Sequence, residues 1–165
     1  MKYLIPSGDA MRALGQELAG VFRAGDLVIL SGGLGAGKTT LVQGIGAGLG
    51  VRGQVASPTF IISRVHTPRA EGPVLVHVDA YRLASLDELD HLDLDASTDE
   101  AVTVVEWGEG KAETLAEGHA LITIERPRGA LADGEDPAAG VRTVTITTTG
   151  ASWQGRSWPV TGWDA

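Results

Sequence analysis

The sequence predicts a mixed α/β fold, a sheet with a parallel core and an antiparallel extension, flanked by helices. Three observations carry this. Residues 26–31 (DLVILS) form a short apolar run between glycines, the makeup of a strand buried on both faces. A glycine-rich segment follows and leads directly into a helical pattern from Lys38, the strand–loop–helix order of a parallel α/β unit. Near the end, residues 121–126 (LITIER) and 141–147 (VRTVTIT) alternate with period two, as strands with one wet face do.

Taken in order, residues 9–22 place Met11, Leu14, Leu18, Val21 and Phe22 at spacings of three and four, an amphipathic helix with Ser7 or Asp9 positioned to cap it. The strand at 26–31 comes next, and the helix from Lys38 runs to about Leu49. Gly44, Gly46 and Gly48 each cost that helix roughly 1 kcal/mol relative to alanine, and close packing on the sheet is the simplest reason for them. Residues 60–65 and 74–78 read as strands joined by a polar, proline-bearing connection over 66–73. Residues 101–106 (AVTVVE) are a further apolar strand. The last two strands, joined by a hairpin loop over 130–140, are expected to extend the sheet antiparallel. The chain divides into one domain over 1–150 and a tail over 151–165 that carries Trp153, Trp158 and Trp163 five apart, a spacing that fits neither a helix face nor a strand face.

Composition narrows the function classes. The 165 residues match one ordinary domain, and 43% hydrophobic with 21% charged residues describes a chain that folds in water. No stretch approaches the roughly 20 apolar residues of a membrane span, and Met1 to Pro6 lacks a signal peptide's apolar stretch, so a cytoplasmic location is expected. With no cysteine there is no disulfide, thiolate zinc site or cysteine nucleophile. A net charge of -8 is the wrong sign for gripping a nucleic acid backbone unaided. Glycine, at 23 residues, is about twice its usual share, and nine of these lie between Gly32 and Gly53.

Those glycines contain the central motif. Gly32-Gly33-Leu34-Gly35-Ala36-Gly37-Lys38-Thr39 satisfies G-x-x-x-x-G-K-[ST], between a strand and a helix as the motif requires. This is the phosphate loop of a P-loop NTPase-like fold. Its glycines let the backbone curl so that N–H groups point inward, and the helix start adds its positive dipole end. Gly33, Leu34, Gly35, Ala36, Gly37, Lys38, Thr39 and Thr40 are therefore the expected nucleotide-binding residues, with Lys38 on the β- and γ-phosphates and the Thr39 hydroxyl as one ligand of Mg²⁺. Guanine-specific relatives read the base with N-K-x-D and switch with D-x-x-G. This chain has neither, and no asparagine at all, so ATP is favoured by elimination. There is also no L-S-G-G-Q signature of a transporter-type ATPase.

Such a site needs an acid at the carboxyl end of a neighbouring strand. Asp79 ends VLVHVD and Glu106 ends VTVVE. Either can serve the metal, directly or through water, while the other orients the attacking water, and the sequence does not rank them. Ser57-Pro58-Thr59 opens the strand after the loop, with Thr59 as a candidate γ-phosphate sensor. His77, Asp79 and Tyr81 alternate on one strand face. A metal triad is conceivable there, but with no other histidine nearby in sequence His77 reads as a packed or hydrogen-bonded strand residue. Trp107 offers a flat face to a base or partner. The seven acids between Asp87 and Glu100, with no lysine or arginine among them, are a solvated face or a docking surface for a basic partner.

Four motifs in this order, Gly32 to Thr40 (G-x-L-G-A-G-K-T-T), Ser57 to Phe60 (S-P-T-F), His77 to Leu83 (H-V-D-A-Y-R-L) and Val105 to Trp107 (V-E-W), resemble the TsaE (YjeE) family over roughly residues 1–126. These are small bacterial P-loop ATPases of the machinery that makes threonylcarbamoyladenosine beside the tRNA anticodon. The resemblance implies that Lys38 and Thr39 hold phosphate and metal, that Thr59 lies in a switch-like segment, that Asp79 and Glu106 are the acids of the metal and hydrolysis site, and that Trp107 matches a functional tryptophan. It also implies two partners, the ligase TsaD and its paralogue TsaB, which carry the tRNA and the carbamoyl chemistry. One departure is Gly33, where many members have aspartate. Only its backbone need face phosphate. Two rival functions are a small P-loop kinase acting on a metabolite and a nucleotide-dependent adaptor without useful hydrolysis. Against the kinase, Arg82 is the only lysine or arginine between Glu71 and Val105, too few for an arginine-bearing lid.

Overall fold

Among the residues that the computed structural model describes, 1–56, 63–81, 98–126 and 140–165, the chain runs β1 (Lys2–Ile5), α1 (Gly8–Ala19), β2 (Leu27–Gly32), α2 (Lys38–Gly48), β3 (Ser63–His66), β4 (Val74–Asp79), β5 (Ala101–Glu106), β6 (His119–Glu125) and β7 (Arg142–Thr149). The strands form one seven-stranded sheet in the order β1-β7-β6-β2-β5-β4-β3. The strand that feeds the phosphate loop, β2, lies at its centre with parallel neighbours on both sides, β5 and β6, and β4 adds to β5 in parallel. The flanks are antiparallel: β7 on β6, β1 on β7, and β3 on β4.

The expected antiparallel extension is thus right for β7 and wrong for β6, which pairs in parallel with β2 from Leu27↔His119 to Gly32↔Ile124. The alternation that suggested a flanking strand has another cause. Ala120, Ile122 and Ile124 are buried against one core while His119, Leu121 and Thr123 are only half-buried on the other face, so the pattern reports incomplete cover and not direction. The first strand, β1, was not anticipated. It has only four residues, and long-range pairing with β7 makes it a strand.

Both faces of the central strands are covered. One core joins α1 and α2 to the sheet through Met11, Leu14, Leu18, Leu41, Ile45, Val28 and Leu30. A second, on the opposite face, holds Leu27, Ile29, Val76, Val78 and Val105. Each fully buried leucine or isoleucine of this kind contributes about 1.5–3 kcal/mol. Helix α1 starts one residue earlier than expected, and Ser7 is its cap, accepting the Ala10 amide at 3.1 Å, while Asp9 in the first turn pairs instead with Arg12. It ends at Gly20, and Val21 and Phe22 are buried beyond the helix.

Of the three glycines of α2, Gly46 packs towards the sheet as expected, where a Cβ would lie 3.4 Å from Leu75 of β4, whereas Gly44 and Gly48 face α1. A Cβ on Gly44 would lie 2.1 Å from the Arg12 carbonyl oxygen, and one on Gly15 would lie 2.4 Å from that of Leu41. These two helices touch backbone to backbone, so at Gly44 the close packing is against α1. The expected strand over 60–65 is seen as β3 from Ser63. Its first residues, the Ser57-Pro58-Thr59 turn, most of the acidic stretch from Asp87 to Glu100 and most of the 130–140 loop lie outside the described residues.

In the tail, Trp153 enters the main core beside Phe22, with ring centroids 6.1 Å apart, and stacks on Trp158. Arg156 covers the Trp153 ring at 4.1 Å and forms a bidentate pair with Asp26, one of whose contacts measures 2.8 Å, both side chains being 5% exposed. The chain end then runs along the outer edge of β1, with Leu4 N–H donating to Trp163 O at 2.7 Å and Ala165 N–H to Lys2 O at 3.0 Å. Among the described residues no helix is long and apolar enough to cross a membrane.

Candidate functional site

Gly32 ends β2 where a Cβ would lie 2.5 Å from the Ile124 carbonyl oxygen of β6, so only glycine lets the chain leave the sheet here. Gly35 and Gly37 take left-handed φ values of 72° and 109°, which turn the loop back into α2 with Gly37 as its cap. Gly33, Leu34 and Gly35 are exposed, with the Leu34 side chain fully in solvent, whereas the Ala36 methyl is buried in the core and leaves only its backbone to the loop. Thr40 is half-buried in the first turn of α2. The first backbone bond into α2 is from Leu41 N–H to Gly37 O, and the N–H groups at the helix start before it are the ones a helix leaves without internal partners.

Lys38 folds back over this loop. Its ammonium donates to the Gly32 carbonyl at 2.7 Å and the Gly33 carbonyl at 3.0 Å, and sits 3.7 Å from the centroid of the Trp107 ring. Burial holds the ammonium below its ordinary pKa, while the charges of Glu106 and Asp79 pull it back up. Trp107 reaches this position at a cost. It adopts φ 61°, the only positive φ among the described non-glycine residues, and a large side chain held there stores on the order of 1–3 kcal/mol. Its ring also packs on Tyr81 at 5.1 Å.

Register brings the two acids together, since Asp79 on β4 pairs with Glu106 on β5. Their surroundings differ. Glu106 is 3% exposed and accepts the Thr39 hydroxyl at 3.0 Å on Oε1 and 3.3 Å on Oε2. His77 Nε2 lies 2.8 Å from the same Oε1. Asp79 is half-buried, and its Oδ1 accepts the Tyr81 backbone N–H at 2.9 Å, a local turn at the end of β4. Of the two acids, Glu106 is the one in contact with the Thr39 hydroxyl.

Lys38, Thr39, Glu106, His77 and Trp107 are thus assembled in one place, with Asp79 beside them. Thr59 lies outside the described residues. The reading of His77 as a hydrogen-bonded strand residue fits its 2.8 Å contact with Glu106. Two contacts escaped the sequence. Glu109 accepts the Ser31 hydroxyl at the end of β2, and Lys111 donates to the Ala80 carbonyl at 3.1 Å, tying the turn after β5 to the end of β4. Neither has a linear signal, because each joins segments distant in sequence.

The family described as "Threonylcarbamoyl adenosine biosynthesis protein TsaE" matches residues 5–131. The chain belongs to the TsaE family. The tRNA threonylcarbamoyladenosine biosynthesis protein TsaE of Streptomyces coelicolor is 58% identical over 144 residues, covering 87% of this chain and 93% of that protein. The TsaE of Mycobacterium bovis is 48% identical over 129 residues, covering 74% and 77%. Among solved structures, Bacillus subtilis YdiB superposes with a TM-score of 0.67 at 28% identity, covering 93% of this chain and 88% of that one. The TsaE match stops before the tail, so the Trp153, Arg156 and Trp163 contacts lie outside it.

Proposed function

We propose that this chain binds ATP with Mg²⁺ and hydrolyses it, as the ATPase component of the cytoplasmic machinery that installs threonylcarbamoyladenosine on tRNA beside the anticodon. The observation that carries the reading is the bond from the Thr39 hydroxyl to Glu106 at the mouth of the phosphate loop, beside a buried Lys38. The names of the relatives supply the pathway.

The oxygen-rich set of Thr39, Glu106 and Asp79 suits a hard cation such as Mg²⁺, with Thr39 as ligand and the acids direct or water-mediated. When bound, the ion would neutralise charge on the phosphates. This chain's own residues do the rest. The loop N–H groups cradle the phosphates, and Lys38 leaves the Gly32 and Gly33 carbonyls for the β- and γ-phosphate oxygens. The Thr39 hydroxyl donates its one hydrogen bond to Glu106, which keeps the threonine lone pairs turned outward. A carboxylate of the pair orients the attacking water, and Trp107 offers its face to the base. A net charge of -8 fits a division of labour in which the partners TsaD and TsaB, implied by the family resemblance, hold the tRNA.

The test is phosphate release by the full chain with ATP and with GTP, alone and with the ligase and its paralogue. The reading expects Mg²⁺-dependent turnover of ATP that is slow alone and faster with the partners. Fast turnover unchanged by partners would make this a free-standing ATPase or kinase, and tight binding without turnover would make it an adaptor.

A further inference from the structure

We propose that His77 is a positioning residue that fixes Glu106 on Thr39. The proposal rests on the nucleotide reading for its effect on turnover, but its geometry stands without it. His77 is fully buried on β4, and Glu106, on the adjacent strand β5, is 3% exposed. Their contact is 2.8 Å, from Nε2 to Oε1, and Oε1 is also the nearer acceptor of the Thr39 hydroxyl.

The proton inventory decides the direction. An ionised carboxylate only accepts, and a bare imidazole nitrogen facing it would set lone pair against lone pair, so Nε2 carries the proton and donates. Glu106 Oε1 then receives two donors from two elements, Thr39 on α2 and His77 on β4. One hydroxyl alone would leave the carboxylate free to swing about its last torsion, whereas two donors converging on a single oxygen fix both its position and its plane.

The other ring nitrogen strengthens the case. His77 Nδ1 is buried without a hydrogen-bond partner among the described residues. A group chosen for stability alone would not carry an unmet polar atom into the core, because an apolar side chain of similar volume removes that cost. The arrangement suits a site that needs the Nε2 donor, as imidazole–carboxylate pairs behind catalytic ligands generally do.

Four variants of the full chain test this: two at His77, Glu106→Gln, and Glu106→Gln combined with His77→Leu. His77→Leu fills the space without a donor, while His77→Gln places an amide N–H near the Nε2 position. His77→Leu is expected to lower kcat by about 10–100-fold with the KM for ATP little changed. His77→Gln is expected to restore most of the loss, and in a Glu106→Gln background His77→Leu should change nothing further. Equal turnover of His77→Leu and wild type, or equal loss in the Leu and Gln variants, would overturn the proposal. A second readout needs neither turnover nor a stable variant at His77. In ¹⁵N-histidine NMR of the wild-type protein, His77 should be the Nε2–H tautomer, and that resonance should move in Glu106→Gln. A proton on Nδ1, or a resonance indifferent to Glu106, contradicts it. If wild-type protein releases no phosphate the ATPase reading fails, and the tautomer still decides the role of His77.

Discussion

Lys38 shows how a single residue is held ready at a cost to stability. Its ammonium is buried against two carbonyls and an indole face, and burial outweighs the pull of the nearby acids, so its pKa is depressed. A lysine whose folded pKa lies below its unfolded value opposes folding while charged, and that cost is relieved only as pH rises towards the unfolded value near 10.5. Lys38→Met is therefore expected to abolish ATP binding by calorimetry without lowering the melting temperature at neutral pH. A clear loss of melting temperature would mean that the lysine's contacts dominate its burial. His66 behaves alike on the acid side. It is buried, and burial is the chief cause of its lowered pKa, partly countered by a hydrogen bond with the Arg52 backbone. The unfolded chain takes up this proton first, so the melting temperature should fall as pH drops below about 6.5, more steeply in wild type than in His66→Gln. At this scale the glycine loop between β2 and α2 was legible because its strand–loop–helix pattern is local in sequence. That Glu106 and not Asp79 touches Thr39 was not, because both end apolar strands and only their position across the sheet separates them.

Among the elements, the crossing of α1 and α2 sets the position of the phosphate loop, since α2 carries Lys38 and Thr39 in its first turn. Gly15 and Gly44 let the two backbones touch. Gly44→Ala is accordingly expected to destabilise by about 1–3 kcal/mol in urea unfolding, although alanine is the better helix former by roughly 1 kcal/mol. A stabilised variant would show that the helices part at little cost. The sequence announces three glycines in a helix but not the neighbour each one meets, so the assignment to the sheet holds for Gly46 and fails for Gly44 and Gly48. For β6 the period-two pattern gave a correct strand and a wrong direction, because alternation reports which face is covered and both directions share that period.

Across the whole molecule, the tail closes the structure on the side away from β3. It covers the edge of β1, supplies Trp153 to the core and neutralises Asp26 with Arg156. Arg156→Ala leaves a buried carboxylate without its cation, and a loss of about 3–5 kcal/mol is expected by chemical denaturation. A loss below 1 kcal/mol would mean that the Arg23 backbone N–H, 2.7 Å from the Asp26 carboxylate, suffices. That tryptophans of the tail pack on the body was legible from sequence, but where they pack was not, because the tail's contacts reach back to residues 2–4, 21 and 26. The proposed ATPase activity belongs to the whole chain as well, and it rests on Glu106, through Thr39, as the working acid of a nucleotide site. The most direct measurement is steady-state ATP turnover of Glu106→Gln beside wild type and Asp79→Asn, with ATP affinity measured in parallel. Glu106→Gln should lose about a hundredfold or more in kcat, and more than Asp79→Asn, with its affinity for ATP within a few-fold of wild type. Wild-type turnover by Glu106→Gln would contradict the account.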